Sequence, residues 1–163
     1  MDAELNAWDS PVGGAYLIWR FTLGFCEVNV SGPNVLLVYP AIAMLLDRNF
    51  SKYILESGNL ADYAYGFQDS AGKKARSLGG LTERIDEYRE WTLRSIEFAL
   101  VTRLVELNPN SGTLKAVLQA ESNDSVKVAK IFKREDGRRA EHLGSVFART
   151  NEKYIGYYLG VKF

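Results

Sequence analysis

The sequence predicts a mainly α-helical protein: a single compact, α-rich domain with a long central helix and at most a small β-hairpin. Three observations support this fold class. Apolar residues recur every three or four positions over residues 81–107, residues 15–25 are apolar on every side, and only residues 114–120 alternate as a strand does. The length of 163 residues suits one domain, taken as residues 1–163. A winged-helix-like arrangement is compatible with the same pattern.

The first predicted helix begins at Ser10 and Pro11. Ser is a preferred N-cap residue, and Pro is favoured at the first helical position, where its missing N–H has no intrahelical partner in any case. Residues 15–25 follow, and a helix that is apolar all round is buried all round. We therefore expect this helix to lie at the centre of the core.

The next apolar segment spans residues 35–46, after a turn at residues 31–34. Periodicity alone does not separate a buried strand from a buried helix here. Pro40 argues against a central strand, because it donates no ladder hydrogen bond. The segment therefore favours a helix with a start or kink at Pro40 and an end near Asp47.

A short helix is expected from Asn49 or Ser51 to Ser57, with Gly58 as its stop. Residues 60–80 are the least regular stretch. Within them, residues 69–80 are rich in Gly, Ser and Lys and predict a flexible basic loop.

The clearest element is the long helix predicted over residues 81–107, with Thr82 as its cap. At 1.5 Å per residue it would be roughly 39 Å long. Its first half carries many charges, whereas the half from Ile96 onward is more apolar and is expected to be buried more deeply. Residues 108–112, which contain Pro, Asn and Gly, should end it.

The C-terminal third predicts a short strand at residues 114–120 and three short helices. The helices are expected at residues 126–134, 138–149 and 154–159. Residues 135–137, Glu-Asp-Gly, are expected to break the chain between the first two helices.

Composition limits the classes of protein to which this chain can belong. The chain has 20 basic and 20 acidic residues, so it lacks the basic excess of a dedicated nucleic-acid binder. Cys26 is its only cysteine, which excludes an intrachain disulfide scaffold. Residues 1–9 have no basic side chain, unlike a signal peptide, and the longest apolar run, residues 35–46, is too short to cross a bilayer. We expect a soluble, cytoplasmic protein.

No motif in the sequence supports catalysis. His142 is the only histidine and has no nucleophile motif beside it, and one Cys with one His is too few ligands for a usual zinc site. Residues 72–74, Gly-Lys-Lys, are followed by Ala75 and so fail the P-loop pattern. The prediction is therefore a protein that is not an enzyme, with no catalytic, cofactor-binding or metal-binding residues.

Two features instead suggest docking onto other proteins. Aromatic side chains make up 20 of the 163 residues, more than a small core needs, and Tyr and Trp are enriched at interfaces. The aromatic residues in surplus are taken as Tyr53, Tyr63, Tyr65, Phe67, Tyr154, Tyr157 and Tyr158.

The second feature is residues 126–139, where six basic and two acidic residues give a local charge of +4. This segment is either a solvated face, a dock for an acidic protein surface, or a contact for nucleic-acid phosphates. Arginines beside the predicted break at Gly137 would project from a turn. The candidate docking residues are Lys130, Arg134, Arg138, Arg139, Tyr157 and Tyr158.

The two ends of the chain carry distinctive motifs. In residues 10–25 and 35–46, a helix that ends aromatic-x-x-Gly-aromatic is followed by a Leu-rich segment with a central Pro. In the tail, residues 139–149 contain Ala-x-x-Leu-Gly-x-x-Phe-Ala, and Leu-Gly-Val follows near the C-terminus. Together these motifs resemble one known family, the middle component of bacterial three-component ABC systems. One departure is Ser10-Pro11, where family members usually have Asn-Pro; it keeps an N-cap.

The resemblance implies a function. Such proteins are encoded between an SMC-like ABC ATPase and a variable effector, often a nuclease, as in Lamassu-type defence against phage and plasmids. The chain would be a non-catalytic accessory subunit that docks on the ATPase and couples it to the effector. It would touch DNA only through the complex and would not touch a membrane. The family has no catalytic residues to carry over. The alternatives are a DNA-binding winged-helix-like module that uses residues 126–139, and a small enzyme.

Overall fold

A computed structural model describes residues 10–66, 79–117 and 134–162. These residues form a mainly α-helical structure with a two-stranded antiparallel hairpin, which confirms the predicted fold class. The α-helices are α1 (Pro11–Val28), α2 (Val38–Leu46), α3 (Leu60–Tyr65), α4 (Leu81–Val101), α5 (Arg134–Arg149) and α6 (Glu152–Leu159). Short 3-10 helices lie at Val35–Leu37 and Ser51–Glu56, and the strands are β1 (Val105–Asn108) and β2 (Thr113–Ala116).

Helix α1 is the central element, as its composition predicts. The Ser10 hydroxyl oxygen accepts the Val12 N–H at 3.1 Å, so the predicted N-cap is confirmed. Residues 13–19 are all buried, and α1 packs mainly against α5 and also against α4.

Glycines bring the backbones of α1 and α5 into direct contact. A Cβ atom at Gly144 of α5 would lie 2.0 Å from the carbonyl oxygen of Phe21, and one at Gly24 of α1 would lie 1.9 Å from that of Glu141. No side chain larger than a hydrogen fits at either position while the helices keep this separation. These two glycines therefore fix how closely the two central helices approach.

The segment at residues 35–46 is helical, as Pro40 indicates. A 3-10 turn leads into α2, and Asn34 caps it by accepting the Leu36 N–H at 3.0 Å. Pro40 lies in the first turn of α2, where an N–H would have no intrahelical partner, so the helix forms without a lost bond. It ends at Leu46, next to Asp47 as predicted.

Helix α4 is shorter than predicted. It begins after Gly80, which has a left-handed φ of 70°, and Thr82 is not its cap. It ends at Val101 after 21 residues, a length of about 31 Å, and the last predicted turns are instead a tight reversal and strand β1. The prediction failed because Leu104 and Leu107 continue the helical spacing although the chain has already turned.

The second half of α4 is also less buried than predicted. Ile96 and Ala99 face the core, but Leu93, Phe98 and Val101 are exposed. The helix therefore has one buried face and a second apolar face that the described residues leave open to solvent.

The hairpin pairs Val105 with Ala116 and Asn108 with Thr113. Strand β2 ends at Ala116, inside the predicted range of residues 114–120, of which 118–120 lie outside the described residues. The outer edge of β2 binds the turn between α1 and α2, because the Leu114 N–H donates to the carbonyl oxygen of Pro33 at 2.8 Å. The hairpin is thus fixed to the core.

The predicted break at residues 135–137 is wrong. Helix α5 begins at Arg134 and runs through Gly137, which is buried. A Cβ atom there would lie 2.5 Å from the Tyr16 hydroxyl oxygen, so Gly137 allows that side chain to approach closely, and the helix continues through it. The helix predicted over 126–134 lies outside the described residues except at Arg134.

Two smaller elements also differ from expectation. The segment Ser51–Glu56 is a 3-10 helix, and α3 lies in the stretch that was expected to be irregular. Residues 67–78, most of the predicted flexible loop, lie outside the described residues. The last helix is confirmed: α6 begins at Glu152, and the side chain of Asn151 caps it.

Candidate partner-docking surfaces

The structure separates the predicted docking residues into two groups. Arg138 and Arg139 lie near the start of α5, whereas Tyr157 and Tyr158 lie on α6, which follows the end of α5. Arg138 and the last residue of α5 are about 16 Å apart along the helix axis. Arg134 is the first residue of α5, and Lys130 lies outside the described residues.

The arginine pair does not project from a turn as predicted. Arg139 is mostly buried, with 19% of its side chain exposed, and its guanidinium contacts Glu135 Oε1 at 2.8 Å and Asp136 Oδ1 at 3.5 Å. These contacts lie within α5 itself. Arg138 is exposed. Of the two side chains, only Arg138 is therefore open to a partner.

Four tyrosines lie at the contact between α3 and α6. Three of them are exposed, and the fourth, Tyr158, is half-buried. The rings of Tyr65 and Tyr158 meet edge to face at 6.3 Å between centroids, and those of Tyr157 and Tyr158 at 5.8 Å. Tyr65 is 68% exposed and Tyr157 74%. Tyr154 is exposed and lies on the same helix face as Tyr157 and Tyr158. We call Tyr65, Tyr154, Tyr157 and Tyr158 the tyrosine surface.

The tyrosine surface stands on well-anchored helices. Ile155 and Leu159 of α6 are buried in the core, as are Leu60 and Tyr63 of α3. The Gly160 and Val161 N–H groups close the end of α6 with bonds to Tyr157 and Gly156. A shallow groove of about 510 Å³ lies beside Tyr157; it is also lined by Asn151, Glu152, Lys153, Gly156 and Val161.

Not every tyrosine in the predicted surplus is available to a partner. Tyr63 is fully buried, so counting it among interface aromatics was wrong. Its hydroxyl lies 2.5 Å from the carbonyl oxygen of Ile54 and 2.7 Å from that of Ser57. Burial raises the pKa of the Tyr63 hydroxyl, which therefore stays a hydrogen-bond donor. Tyr53 is half-buried beside Lys52, and Phe67 lies outside the described residues.

His142, the only histidine, has a positioning role. Its Nε2 atom lies 2.6 Å from the carbonyl oxygen of Ser57. A carbonyl oxygen only accepts, so Nε2 carries the proton and donates it. The bond joins α5 to the loop before α3, and thus helps to support the tyrosine surface. Among the described residues, no group of three or more His, Cys, Asp or Glu side chains is placed to hold a metal ion.

A second exposed surface was missed by sequence reasoning. Its apolar members lie along the second half of α4 and on strand β1, and they are exposed by 46% for Leu93, 36% for Phe98, 83% for Val101 and 41% for Leu107. Arg103, in the connection, is also exposed. We call Leu93, Phe98, Val101, Arg103 and Leu107 the α4–hairpin surface. The signal for it was present, because Leu93 and Val101 are two helical turns apart, on a face of α4 different from that of Ile96 and Ala99.

These features define the class of protein: a mainly α-helical chain whose described residues include exposed aromatic and apolar side chains on α3, α4 and α6. Among the residues that the structure describes, none of the helices is long and apolar enough to cross a lipid bilayer. Over residues 1–163 the chain matches the family model described as ABC-three component (ABC-3C) system Middle Component 3. The chain belongs to that family, as the resemblance at its two ends predicted, and is therefore a component of an ABC-three component system. No curated protein and no solved structure matches it.

Proposed function

We propose that this chain is a non-catalytic accessory subunit that docks on an SMC-like ABC ATPase and couples it to an effector, in a complex that defends a bacterium against phage or plasmids. Its membership of the middle-component family supports this proposal, because a component of a three-component system has protein partners. The observation that carries the docking step is the tyrosine surface.

The chemistry of the tyrosine surface suits a protein partner. A tyrosine presents an apolar ring and a polar hydroxyl, so it can be exposed to water in the free protein and still bury apolar area against a partner. Its side chain has only two χ angles, so it loses little conformational entropy on binding. Tyr65 and Tyr157 expose more than two thirds of their area, which a partner would cover. Because α3 and α6 are fixed to the core, the rings are already held in place before a partner arrives.

The described residues give less support to the DNA-binding alternative. Helix α4, the longest described helix, carries five carboxylates and three guanidinium groups, so its net charge is −2. This charge would repel the phosphates of DNA. Arg139 is held by Glu135 and Asp136 within α5. The chain as a whole is neutral. The tyrosine surface is therefore the better-supported contact.

The proposal is tested by co-expressing the three components and pulling down the tagged ATPase. The double variant Tyr65→Ala with Tyr157→Ala should weaken recovery of this chain by about tenfold or more, the scale on which central aromatic residues contribute to an interface. Its melting temperature should change by less than about 2 °C, because exposed side chains contribute little to folding. Arg138→Glu tests whether the start of α5 contributes, without disturbing the Arg139 ion pairs.

Val30→Ala is the matched control, since Val30 is 82% exposed and belongs to neither surface. Normal recovery of the tyrosine double variant would reject the tyrosine surface as the dock. Loss of binding in Arg138→Glu alone would move the dock to the start of α5. Submicromolar binding of the isolated chain to duplex DNA at physiological salt would favour the DNA-binding alternative, because a neutral chain should bind no tighter than about 10⁻⁴ M.

A further inference from the structure

Helix α3, which carries Tyr65 of the tyrosine surface, is too short to hold its position by itself. It has six residues, and isolated helices shorter than about 12 residues are marginal in water. Its place against α6 therefore depends on tertiary contacts. Leu60 and Tyr63 supply apolar contacts, since both side chains are buried.

The polar contacts that hold α3 meet at Ser57, in the loop before the helix. The Ser57 hydroxyl donates to Asp62 Oδ2 at 2.6 Å and accepts the Asn59 N–H at 3.1 Å. The Ser57 carbonyl oxygen accepts the Tyr63 hydroxyl at 2.7 Å. Ser57 is itself buried, with 7% of its area exposed. Because of these bonds, a displacement of Ser57 also displaces α3.

His142 connects Ser57 to α5, across 85 positions of the sequence. Its Nε2 atom donates to the same Ser57 carbonyl oxygen at 2.6 Å. The Tyr63 hydroxyl has one proton, and it lies closer to the carbonyl oxygen of Ile54, at 2.5 Å, than to that of Ser57. The His142 proton, by contrast, is directed at Ser57. His142 therefore fixes the distance between Ser57 and α5.

Helix α6, which carries the other tyrosines of the surface, is held to α5 in a different way. It begins two residues after the end of α5, and its Ile155 and Leu159 side chains are buried. The Asn151 side chain caps its first turn. The bond between His142 and Ser57 does not involve α6, so it acts on one half of the tyrosine surface only.

We propose that His142 is a positioning residue for the tyrosine surface: by holding Ser57, it sets where the Tyr65 ring stands against the Tyr158 ring before a partner binds. This inference rests on the proposed function. The two rings meet at 6.3 Å and 78°, and a partner that covers both of them needs this arrangement. A chain in which α3 is displaced must restore it on binding, and therefore binds more weakly.

The size of the effect follows from the hydrogen bond. Restoring α3 costs a variant no more than the bond contributed, and one net hydrogen bond corresponds to about a factor of five in an equilibrium constant. His142→Leu should therefore weaken binding to the ATPase by about fivefold. His142→Gln should bind within about twofold of the wild type, because its amide N–H can donate to the same carbonyl oxygen.

The test measures ATPase binding and amide hydrogen exchange on the same preparations of the full chain. In free His142→Leu, exchange of residues 59–66 should be about fivefold faster while that of α6 is unchanged, and His142→Gln should restore the slower exchange. Ile96→Val, a change in a buried residue of α4, is the control for stability. It should lower the melting temperature by about 2–4 °C, as His142→Leu should, and still bind normally.

A double-mutant series separates positioning from a general loss of stability. If His142 acts through Tyr65, His142→Leu should weaken binding by less than about twofold when Tyr65→Ala is already present. With Tyr157→Ala present, it should still weaken binding by about fivefold, because α6 does not depend on the His142 bond. A loss of stability alone would have the same effect in both backgrounds.

Three results would overturn this inference alone, provided that the double variant Tyr65→Ala with Tyr157→Ala has lost binding. They are normal binding by His142→Leu, a loss in His142→Gln as large as that in His142→Leu, and a fivefold loss from His142→Leu in both tyrosine backgrounds. Normal binding by the tyrosine double variant would instead reject the proposed dock, and this inference with it.

Discussion

The α1–α5 contact and the tyrosine surface both contain aromatic pairs in the same edge-to-face arrangement. Phe21 and Phe147 meet at 5.5 Å between ring centroids, and Tyr65 and Tyr158 at 6.3 Å. The phenylalanines are fully buried, whereas Tyr65 is 68% exposed. Ring geometry therefore does not distinguish a core pair from a surface pair. The two pairs differ in their surroundings. The phenylalanines lie where glycines bring the backbones of α1 and α5 together, whereas the tyrosines border solvent.

The difference is also energetic. Phe21 and Phe147 are removed from water, which stabilises the fold by about 2–3 kcal/mol for each side chain. The exposed tyrosines keep most of their ring area in water, so they contribute little until a partner covers them. The same residue class thus stabilises the fold in one region and is available for binding in the other.

The largest expected effect comes from replacing a core aromatic residue by alanine. The same kind of substitution on the tyrosine surface serves as the comparison. Phe147→Ala should destabilise the chain by about 3–5 kcal/mol, because it leaves a cavity between α1 and α5. Tyr157→Ala should change the free energy of unfolding by no more than about 0.5 kcal/mol, because the side chain is exposed. Urea unfolding followed by circular dichroism measures both. Similar losses of unfolding free energy in the two variants would mean that Tyr157 belongs to the core. The proposed difference between the two regions would then be wrong.

The next effect isolates the glycine contact. Gly144→Ala should destabilise the chain by about 2–3 kcal/mol, because the new methyl group meets the Phe21 carbonyl oxygen and the Phe25 backbone nitrogen, which cannot move alone. Gly79→Ala is the control, since nothing lies within 4 Å of a Cβ atom there. If Gly144→Ala is as stable as the wild type, the helices can separate without loss, and the glycines do not fix their distance.

Local chemistry in the sequence predicted much of this fold. The Ser10 cap, the position of Pro40 and the apolar spacing of residues 154–159 placed three helices correctly. Periodicity failed at the end of α4, because Leu104 and Leu107 keep the helical spacing while Arg103 turns the chain. The turn signal failed at Gly137, because a glycine that packs against the Tyr16 and Arg20 side chains inside a helix looks the same in the sequence as a glycine that ends one.

The candidate sites were only partly predictable, for a related reason. Composition indicated a surplus of tyrosines, and Tyr157 and Tyr158 do lie on an exposed surface. Burial of Tyr63 depends on carbonyl groups that only the folded loop presents. The engagement of Arg139 by Glu135 and Asp136 depends on α5 being continuous there. The exposure of a side chain and its ion pairs depend on the tertiary structure, so residue counts cannot predict them.

The smallest expected effect tests the polar edge of the α1–α5 contact. Glu141 of α5 pairs with Arg20 of α1 at 2.8 Å, beside the glycine contact. Burial raises the pKa of the Glu141 carboxyl and Glu27 adds to this, while Arg20 opposes it. The folded state therefore binds a proton more readily than the unfolded state, so this group makes stability fall as pH rises from about 4.3 through the raised pKa.

Glu141→Gln removes this titration. The stability of the variant relative to the wild type should therefore increase as pH rises through that range, as measured by urea unfolding at several pH values between about 4 and 7. Glu106→Gln, on the exposed strand β1, corrects for the loss of one negative charge. The opposite slope would show that Arg20 lowers the pKa of Glu141 more than burial raises it. The α1–α5 contact would then be stabilised by an ion pair in addition to its packing, a contribution that the described residues of the tyrosine surface do not have.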